Sequence, residues 1–325
     1  MSFLSNIFDT VVYMRPDRLT GATPWHGHIP FAFWLVRQLR PKIIVELGVH
    51  AGNSYCAFCQ AVERLNMSSA CFGVDTWQGD EHGGFYDESV FNELKQYHDP
   101  RFGHFSSLLR MTFDEAVELF DDGTVDLLHI DGLHTYEASK HDFEHWKRKL
   151  SNRAIVLFHD IEVRDRGFGV WRLWNELQSQ YPTFAFSHSY GLGVLQYGSD
   201  IPTTVSSLMT SDDNQRMAVQ THFQTLGERV NLLWQVRELS DRLTMANKDL
   251  QSTDRLLDQA RAIESQLRAE NEQLKTDVNR LTSELGAEID QLKRTVQIYE
   301  TSTSWRITRP ARSMSRVIRR LARRQ

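Results

Sequence analysis

The chain has 325 residues, of which 41% are hydrophobic and 24% charged, with a formal net charge of −5. This is enough for one packed domain of about 200 residues and leaves more than a hundred for something else. The composition excludes a membrane-spanning helix, since no apolar run reaches about 18 residues. The opening Met1-Ser-Phe-Leu-Ser-Asn lacks the basic-then-apolar order of a signal peptide. Cys56, Cys59 and Cys71 make no disulfide framework, and Cys56 and Cys59, at i and i+3, read as core. A reducing, cytosolic setting is expected.

In chain order, a helix ending Phe31-Ala-Phe-Trp-Leu-Val-Arg-Gln-Leu39 stops before Pro41. Lys42-Ile-Ile-Val-Glu-Leu-Gly-Val-His-Ala-Gly-Asn-Ser54 then predicts a buried parallel strand, a tight loop and a helix. Gly48 and Gly52 would let the backbone approach a ligand. The spacing E-x-G-x-x-x-G departs from the dinucleotide fingerprint G-x-G-x-x-G, because His50 stands where the middle glycine is needed. It resembles the first motif of class I S-adenosylmethionine (SAM) methyltransferases, which implies that Glu46 and the glycine loop hold the amino-acid part of SAM. A second run, Cys71-Phe-Gly-Val-Asp75, ends in a carboxylate where open α/β sheets bind ligands. Asp75 is the expected ribose anchor, with a solvated strand-end Asp as the alternative.

Strands are expected at about 42–47, 71–75, 104–109, 125–131 and 154–160, alternating with amphipathic helices: a doubly wound, mostly parallel sheet. Between Asp80 and Pro100 lies a polar, aromatic insertion, too glycine-rich to be core. A helix around Val170–Leu177 precedes an antiparallel hairpin at 184–197, and 201–216 reads as a linker. The ends of the fourth and fifth strands carry the chemistry. Asp131, His159 and Asp160 would converge as an oxygen- and nitrogen-rich site for Mg²⁺ or Mn²⁺. His134, three residues beyond Asp131, is placed to take a hydroxyl proton during attack on a methyl group. Loop capping by His134 and edge packing by His159 are the bland alternatives.

Leu128-His-Ile-Asp-Gly-Leu-His-Thr-Tyr-Glu-Ala138 with Leu157-Phe-His-Asp160 resembles the methyltransferase 24 family of class I methyltransferases. That family is similar to metal-dependent sugar O-methyltransferases and often accompanies bacterial surface-polysaccharide glycosyltransferases. The resemblance covers about residues 25–197 and implies a seven-stranded Rossmann-like sheet. It implies SAM contacts from Glu46, Gly48 and Asp75, with Gly52, Asn53, Ser54, Thr76 and Trp77 of the same motifs completing the set. It also puts Asp131 and Asp160 on metal positions and His134 on the general base, with Asp131 and His134 the catalytic pair. His159 departs from the pattern, since those relatives carry a carboxylate there.

From 217 to 300 a 3.5-residue period predicts an α-helical coiled coil. Leu243, Leu250, Leu257, Val278, Leu285 and Leu292 occupy one seam position, and Ala246, Ala260, Leu267, Leu274 and Leu281 the other. A homo-oligomer, dimer or trimer, is expected, with a helix folded back on the catalytic domain as the alternative. Residues 301–325 form a basic tail: Ser304–Gln325 holds eight Arg and no acid. Its apolar residues Ile307, Ala311, Met314, Ile318 and Leu321, beside Trp305, suit an anionic membrane interface better than nucleic acid. The Thr-Ser-Trp-Arg-Ile-Thr-Arg-Pro pattern resembles tails of polysaccharide-assembly enzymes. Two functions follow. One is a SAM-dependent sugar O-methyltransferase acting on a glycan or lipid-linked sugar at the inner face of the membrane, with a possible-partner glycosyltransferase. The other is a catalytically silent scaffold of the same fold.

Overall fold

The computed structural model describes residues 7–80 and 84–322. Its first unit, Met1–Ser240, is built on a seven-stranded sheet. The helix α1 (Ile29–Leu39) leads to β1 (Ile43–Leu47), and α2 (Asn53–Arg64) to β2 (Ala70–Asp75). A small hairpin, β3 (Gly79–Asp80) and β4 (Gly84–Phe85), precedes α3 (Glu88–Phe102) and β5 (Ser106–Arg110). Then follow α4 (Phe113–Val117), β6 (Val125–Ile130), α5 (Tyr136–Trp146), β7 (Leu150–His159) and α6 (Val170–Leu177). The strands β8 (Thr183–Phe186) and β9 (Leu192–Gln196) close the sheet.

The strand order is β5-β2-β1-β6-β7-β9-β8, with the first five parallel and β9 running antiparallel between β7 and β8. The chain runs outward from β1 to β5 and returns beside β1 as β6, which puts the topological switch between β1 and β6. Such strands are covered on both faces, and β6 is buried at all six positions. Its Asp126 is tolerated there because Lys42 N–H and Ser151 Oγ each donate to it at 2.6 Å. One face packs under α1 and α2, the other under α4, α5 and α6.

Two stretches differ from the sequence expectation. The insertion after Asp80 contains α3, capped by Asp87 accepting from Ser89 N–H, and it buries Leu94, His98 and Phe102. These stand at i, i+4 and i+8, a helical stripe masked by the glycines before it; Glu81, His82 and Gly83 lie outside the described residues. The expected linker at 201–216 holds α7 (Thr203–Met209), with Val205, Leu208 and Met209 buried.

The helix α8 (Asp213–Thr301) begins inside the first unit, and its stretch from Val219 to Val230 packs on the domain. Val219, Phe223, Leu226 and Val230 are buried, and Phe223 packs on Phe31, Trp34 and Phe186. Arg216 and Gln220 donate to the carbonyls of Thr183 and Ala185, covering the edge strand β8. A stripe at i, i+4, i+7, i+11 serves a domain core as well as a partner helix, which is why periodicity alone ran the two together.

The second unit, Asp241–Gln325, carries the rest of α8 and α9 (Thr303–Ala322). Its seam residues, from Leu243 to Leu292, are about half to two thirds exposed. Ion pairs such as Arg268–Glu264 and Lys293–Asp290 lie one turn apart along the helix. Ile307 and Met314 of α9 are exposed. Residues 323–325 and the side chains of Trp305, Ile318 and Leu321 lie outside the described residues. No described helix is long and apolar enough to cross a membrane.

Candidate active site

The carboxyl ends of β1, β2, β6 and β7 open into a cavity of about 520 Å³, a size suited to a small-molecule ligand. Its floor is the loop from Gly48 to Ser54. Gly48 has φ +90° and Gly52 φ +80°, a backbone region that favours glycine. A methyl group on Gly48 would overlap the backbone of Asp131, and one on Gly52 would come 2.5 Å from Leu94 Cδ1. Close packing of protein against protein, rather than ligand approach, therefore demands these two glycines.

Asp75 holds the loop in shape. Its Oδ2 accepts from Val49 N–H and His50 N–H, both at 2.9 Å, and its Oδ1 from Trp77 N–H at 2.7 Å. A carboxylate offers about four acceptor directions, so about one is left for a ribose hydroxyl. Trp77 is buried, donates its indole N–H to the carbonyl of His50 at 2.9 Å, and supports the loop from outside the cavity lining. Glu46 also lies outside the lining, fully buried. Ser54 Oγ donates to its Oε1 at 2.5 Å, and His129 Nδ1 is 3.3 Å from its Oε2. Burial pushes the Glu46 carboxyl above its usual range, against the opposing pull of His129 and Ser54. Glu46 thus braces β1 against α2 and β6, and the direct SAM contact expected of it is not where the residue stands. Gly48, Gly52, Asn53, Ser54, Asp75 and Thr76 do line the cavity. Asn53 donates to the carbonyl of Ala22 at 2.7 Å and so ties the roof to the loop.

At the other end stand Asp131, His134 and Asp160, whose ligand atoms all lie within 4.8 Å of one another. His134 Nε2 is 2.8 Å from Asp160 Oδ2 and 3.5 Å from Asp131 Oδ1. His159 Nδ1 faces the same carboxylates, 3.2 Å from Asp131 Oδ1 and 3.3 Å from Asp160 Oδ1. Its Nε2 meets the carbonyl of Ser189 at 3.2 Å. With Nε2 donating to that carbonyl, Nδ1 is the nitrogen turned toward the carboxylates, and His159 lines the cavity beside Asp131, His134 and Asp160.

Charges decide the protonation states. Burial disfavours the His134 cation, but hydrogen bonds and charge from Asp131 and Asp160 raise its pKa to about 10. His159, likewise disfavoured by burial, is raised by the same carboxylates to about 9. Burial also works against ionised Asp131, yet the His159 charge and hydrogen bonds from both histidines hold it well below the usual carboxylate range. As it stands the His134 ring is an acid at neutral pH, not a base. Asp160 has φ +61°, rare for a non-glycine residue, and its buried Oδ1 accepts no hydrogen bond among the described residues. Two carboxylates with an imidazole beside them fit a divalent cation with open positions. Asp131 and Asp160, with His159 at their side, would hold such an ion, and it would lower the pKa of a bound hydroxyl within reach of His134.

Several wall residues carry little signal in the sequence. His50 stacks on Tyr86, centroids 4.6 Å apart at 15°, and His134 on Phe168, 4.5 Å apart at 12°. Trp25 and Tyr190 complete the aromatic walls. Trp25 donates to His129 Nε2 at 3.1 Å, which leaves the His129 proton on Nδ1, facing Glu46. An aromatic residue between glycines, Gly167-Phe-Gly169, was the one local signal available.

A doubly wound sheet with a glycine loop, an acidic second strand and an acid–histidine cluster at its carboxyl edge defines a class I methyltransferase architecture. Residues 45–161 match the family model Methyltransf_24, a methyltransferase domain. The chain is 48% identical over 204 residues to "Uncharacterized protein y4gI" of Sinorhizobium fredii (strain NBRC 101917 / NGR234). That match covers 62% of this chain and only 22% of the relative's length. Among solved structures, the calicheamicin methyltransferase CalS11 is 20% identical, with a TM-score of 0.44 over 53% of this chain and 79% of its own. A Geobacter sulfurreducens methyltransferase is 14% identical, with a TM-score of 0.40 over 51% and 76%. The SAH-bound Podospora anserina methyltransferase PaMTH1 is 12% identical, with a TM-score of 0.40 over 53% and 78%.

Proposed function

We propose that the chain is a SAM-dependent O-methyltransferase that methylates a sugar hydroxyl of a bacterial surface polysaccharide or its lipid-linked precursor. The observation that carries this reading is one cavity holding both the Gly48–Ser54 loop with Asp75 and, opposite, Asp131, His134 and Asp160. SAM would lie along the loop, its ribose on the remaining acceptor direction of Asp75 and its methyl toward the carboxylates. Aromatic walls with carboxylates between them suit a hydroxylated ring, whose C–H faces pack on aromatic surface while its hydroxyls donate to oxygen. A hydroxyl becomes a nucleophile only as it loses its proton. His134 is the group in reach, and it accepts a proton once positive charge between the carboxylates offsets the attraction that now keeps it charged.

The helix Asp213–Thr301 would pair with further copies through its exposed seam, and the Arg-rich tail would rest on anionic lipid, bringing the enzyme to membrane-bound glycan and to a glycosyltransferase partner. A second reading, a silent scaffold, is favoured by the three backbone bonds that already occupy Asp75. Transfer of labelled methyl from SAM to a panel of lipid-linked glycans tests the two. Label in a glycan, stable to base as an ether is, supports the enzyme; no label with any acceptor, despite SAM binding, supports the scaffold.

A further inference from the structure

The molecule carries a second cluster of metal-ligating side chains, half-exposed on α4 and α5. His141 and His145 stand one turn apart on the same face of α5. His141 Nε2 and His145 Nδ1 both reach Oδ1 of Asp114 on α4, at 2.9 and 2.8 Å. The two rings lie 4.2 Å apart, and the three ligand atoms fall within 4.8 Å of one another. All three side chains are about half exposed, so water and ions reach them.

The placement is fixed by the elements beneath. Phe143 and Trp146 are fully buried and set the rotation of α5, which turns 141 and 145 outward. A reciprocal cap between Thr112 and Glu115 sets the first turn of α4, where Asp114 stands. Among the described residues, the ion-pair partners of Asp114 are these two imidazoles, with no Lys or Arg competing for the carboxylate. In the present arrangement both rings present an N–H to one oxygen, and each of those protons is exchangeable for a share in a cation.

We propose that Asp114, His141 and His145 form a binding site for a borderline transition-metal cation, Zn²⁺ above all. Two imidazoles and one carboxylate suit zinc, with water in a fourth position. Mg²⁺ prefers oxygen and keeps its waters, so it is a poor occupant. The cavity cluster has the opposite balance, two carboxylates to one imidazole, and the two sites should therefore sort metals differently. The outer site bridges α4 and α5, which directly follow the wall segments Thr112–Phe113 and Gly132–His134. Occupancy would tie these walls together and stabilise the folded form by mass action.

The test uses full-length protein stripped with EDTA and titrated with Zn²⁺ by calorimetry, and with Co²⁺ by visible absorption. Wild type is expected to take one equivalent more than His141→Asn/His145→Asn, whose exposed positions should leave folding intact. His141→Asn or His145→Asn alone should weaken that equivalent at least tenfold. Asp131→Asn/Asp160→Asn should retain it, and millimolar Mg²⁺ should not displace it. The Co²⁺ absorption of the outer site should be lost from the double histidine variant and kept in Asp131→Asn/Asp160→Asn. Equal Zn²⁺ uptake and affinity in wild type and the double histidine variant, or displacement by Mg²⁺, would overturn the proposal.

Discussion

Gly227, in the part of α8 that belongs to the first unit, lies against Gly27, and a methyl group on Gly227 would overlap the carbonyl oxygen of Gly27 and come 2.7 Å from its Cα. Gly27 in turn has no room for a side chain beneath Ser189. Gly27 belongs to the turn Thr23–His28, which places Trp25 in the cavity roof. The long helix is thus packed onto the backbone that shapes the site.

Gly227→Ala separates two opposed effects. Helix propensity alone would stabilise it by about 1 kcal/mol. Overpacking against rigid backbone costs roughly 1–3 kcal/mol, and because the clash is with main-chain atoms we expect net destabilisation. A thermal melt should show a lower Tm, with weaker ligand binding in the cavity. A higher Tm would show that α8 does not press on the roof as described.

For the acid–histidine cluster, His134→Ala should keep SAM affinity and lose turnover by about 10²–10⁴-fold, the range for a lost acid–base group. Asp131→Asn and Asp160→Asn should lower the rate and blunt any response to Mg²⁺ or Mn²⁺. Full activity after EDTA treatment would remove the metal from the scheme and leave His134 to be judged by its own variant.

Asp142, buried on α5, gives a pH signature. Burial raises its pKa from 3.8 to about 7, His141 opposing and Asp114 adding to the rise. The folded form holds this proton where the unfolded chain has released it, so the stability it contributes is full below pH 3.8 and is lost as pH rises through about 7. The shift corresponds to roughly 4 kcal/mol at most. His26 works in the other direction, because burial lowers it from 6.5 to about 4 and stability falls as pH drops through that window. Asp142→Asn should match wild type near pH 4 and exceed it by about 2–4 kcal/mol at pH 8. Urea unfolding at both pH values reads the difference, and parallel profiles would contradict it.

Truncation separates coil from tail. Removal of residues after Tyr299 should leave the oligomer intact and release the protein from anionic vesicles, since several weakly binding basic helices act together only while linked. Truncation after Ser240 should give a monomer with the core contacts of Val219, Phe223, Leu226 and Val230 preserved. Flotation with light scattering checks both: equal flotation with and without the tail would refute the membrane role, and a monomeric full-length chain the coiled coil.

The strands were legible because parallel β-strands buried on both faces must be apolar runs, as Ile43–Leu47 and Ala154–His159 are. The cavity edge followed, since topology alone brings Gly48, Asp75, Asp131 and Asp160 to neighbouring strand ends. Side-chain direction was not legible. Glu46 and Asp75 both stand at strand carboxyl ends, yet one turns into the core to meet Ser54 and His129 while the other reaches the loop. The partner of His159 Nε2, the carbonyl of Ser189, stands thirty residues further along the chain and left no local signal. Tyr86 and Phe168 come from loops whose path no periodicity fixes. The start of α8 reads as seam because a heptad looks the same whether its partner is another chain or its own domain.

Calorimetric titration of the full-length chain with SAM reads the function of the cavity most directly. One site per chain is expected, competed by S-adenosylhomocysteine. Asp75→Ala should weaken it about tenfold to a hundredfold, as loss of a charged hydrogen-bonding group worth about 1.5–3 kcal/mol requires, while Glu46→Gln, outside the lining, should shift it far less. Absence of binding to the folded wild type at millimolar SAM, or unchanged affinity in folded Asp75→Ala, would contradict the placement of the cofactor at the ends of β1 and β2.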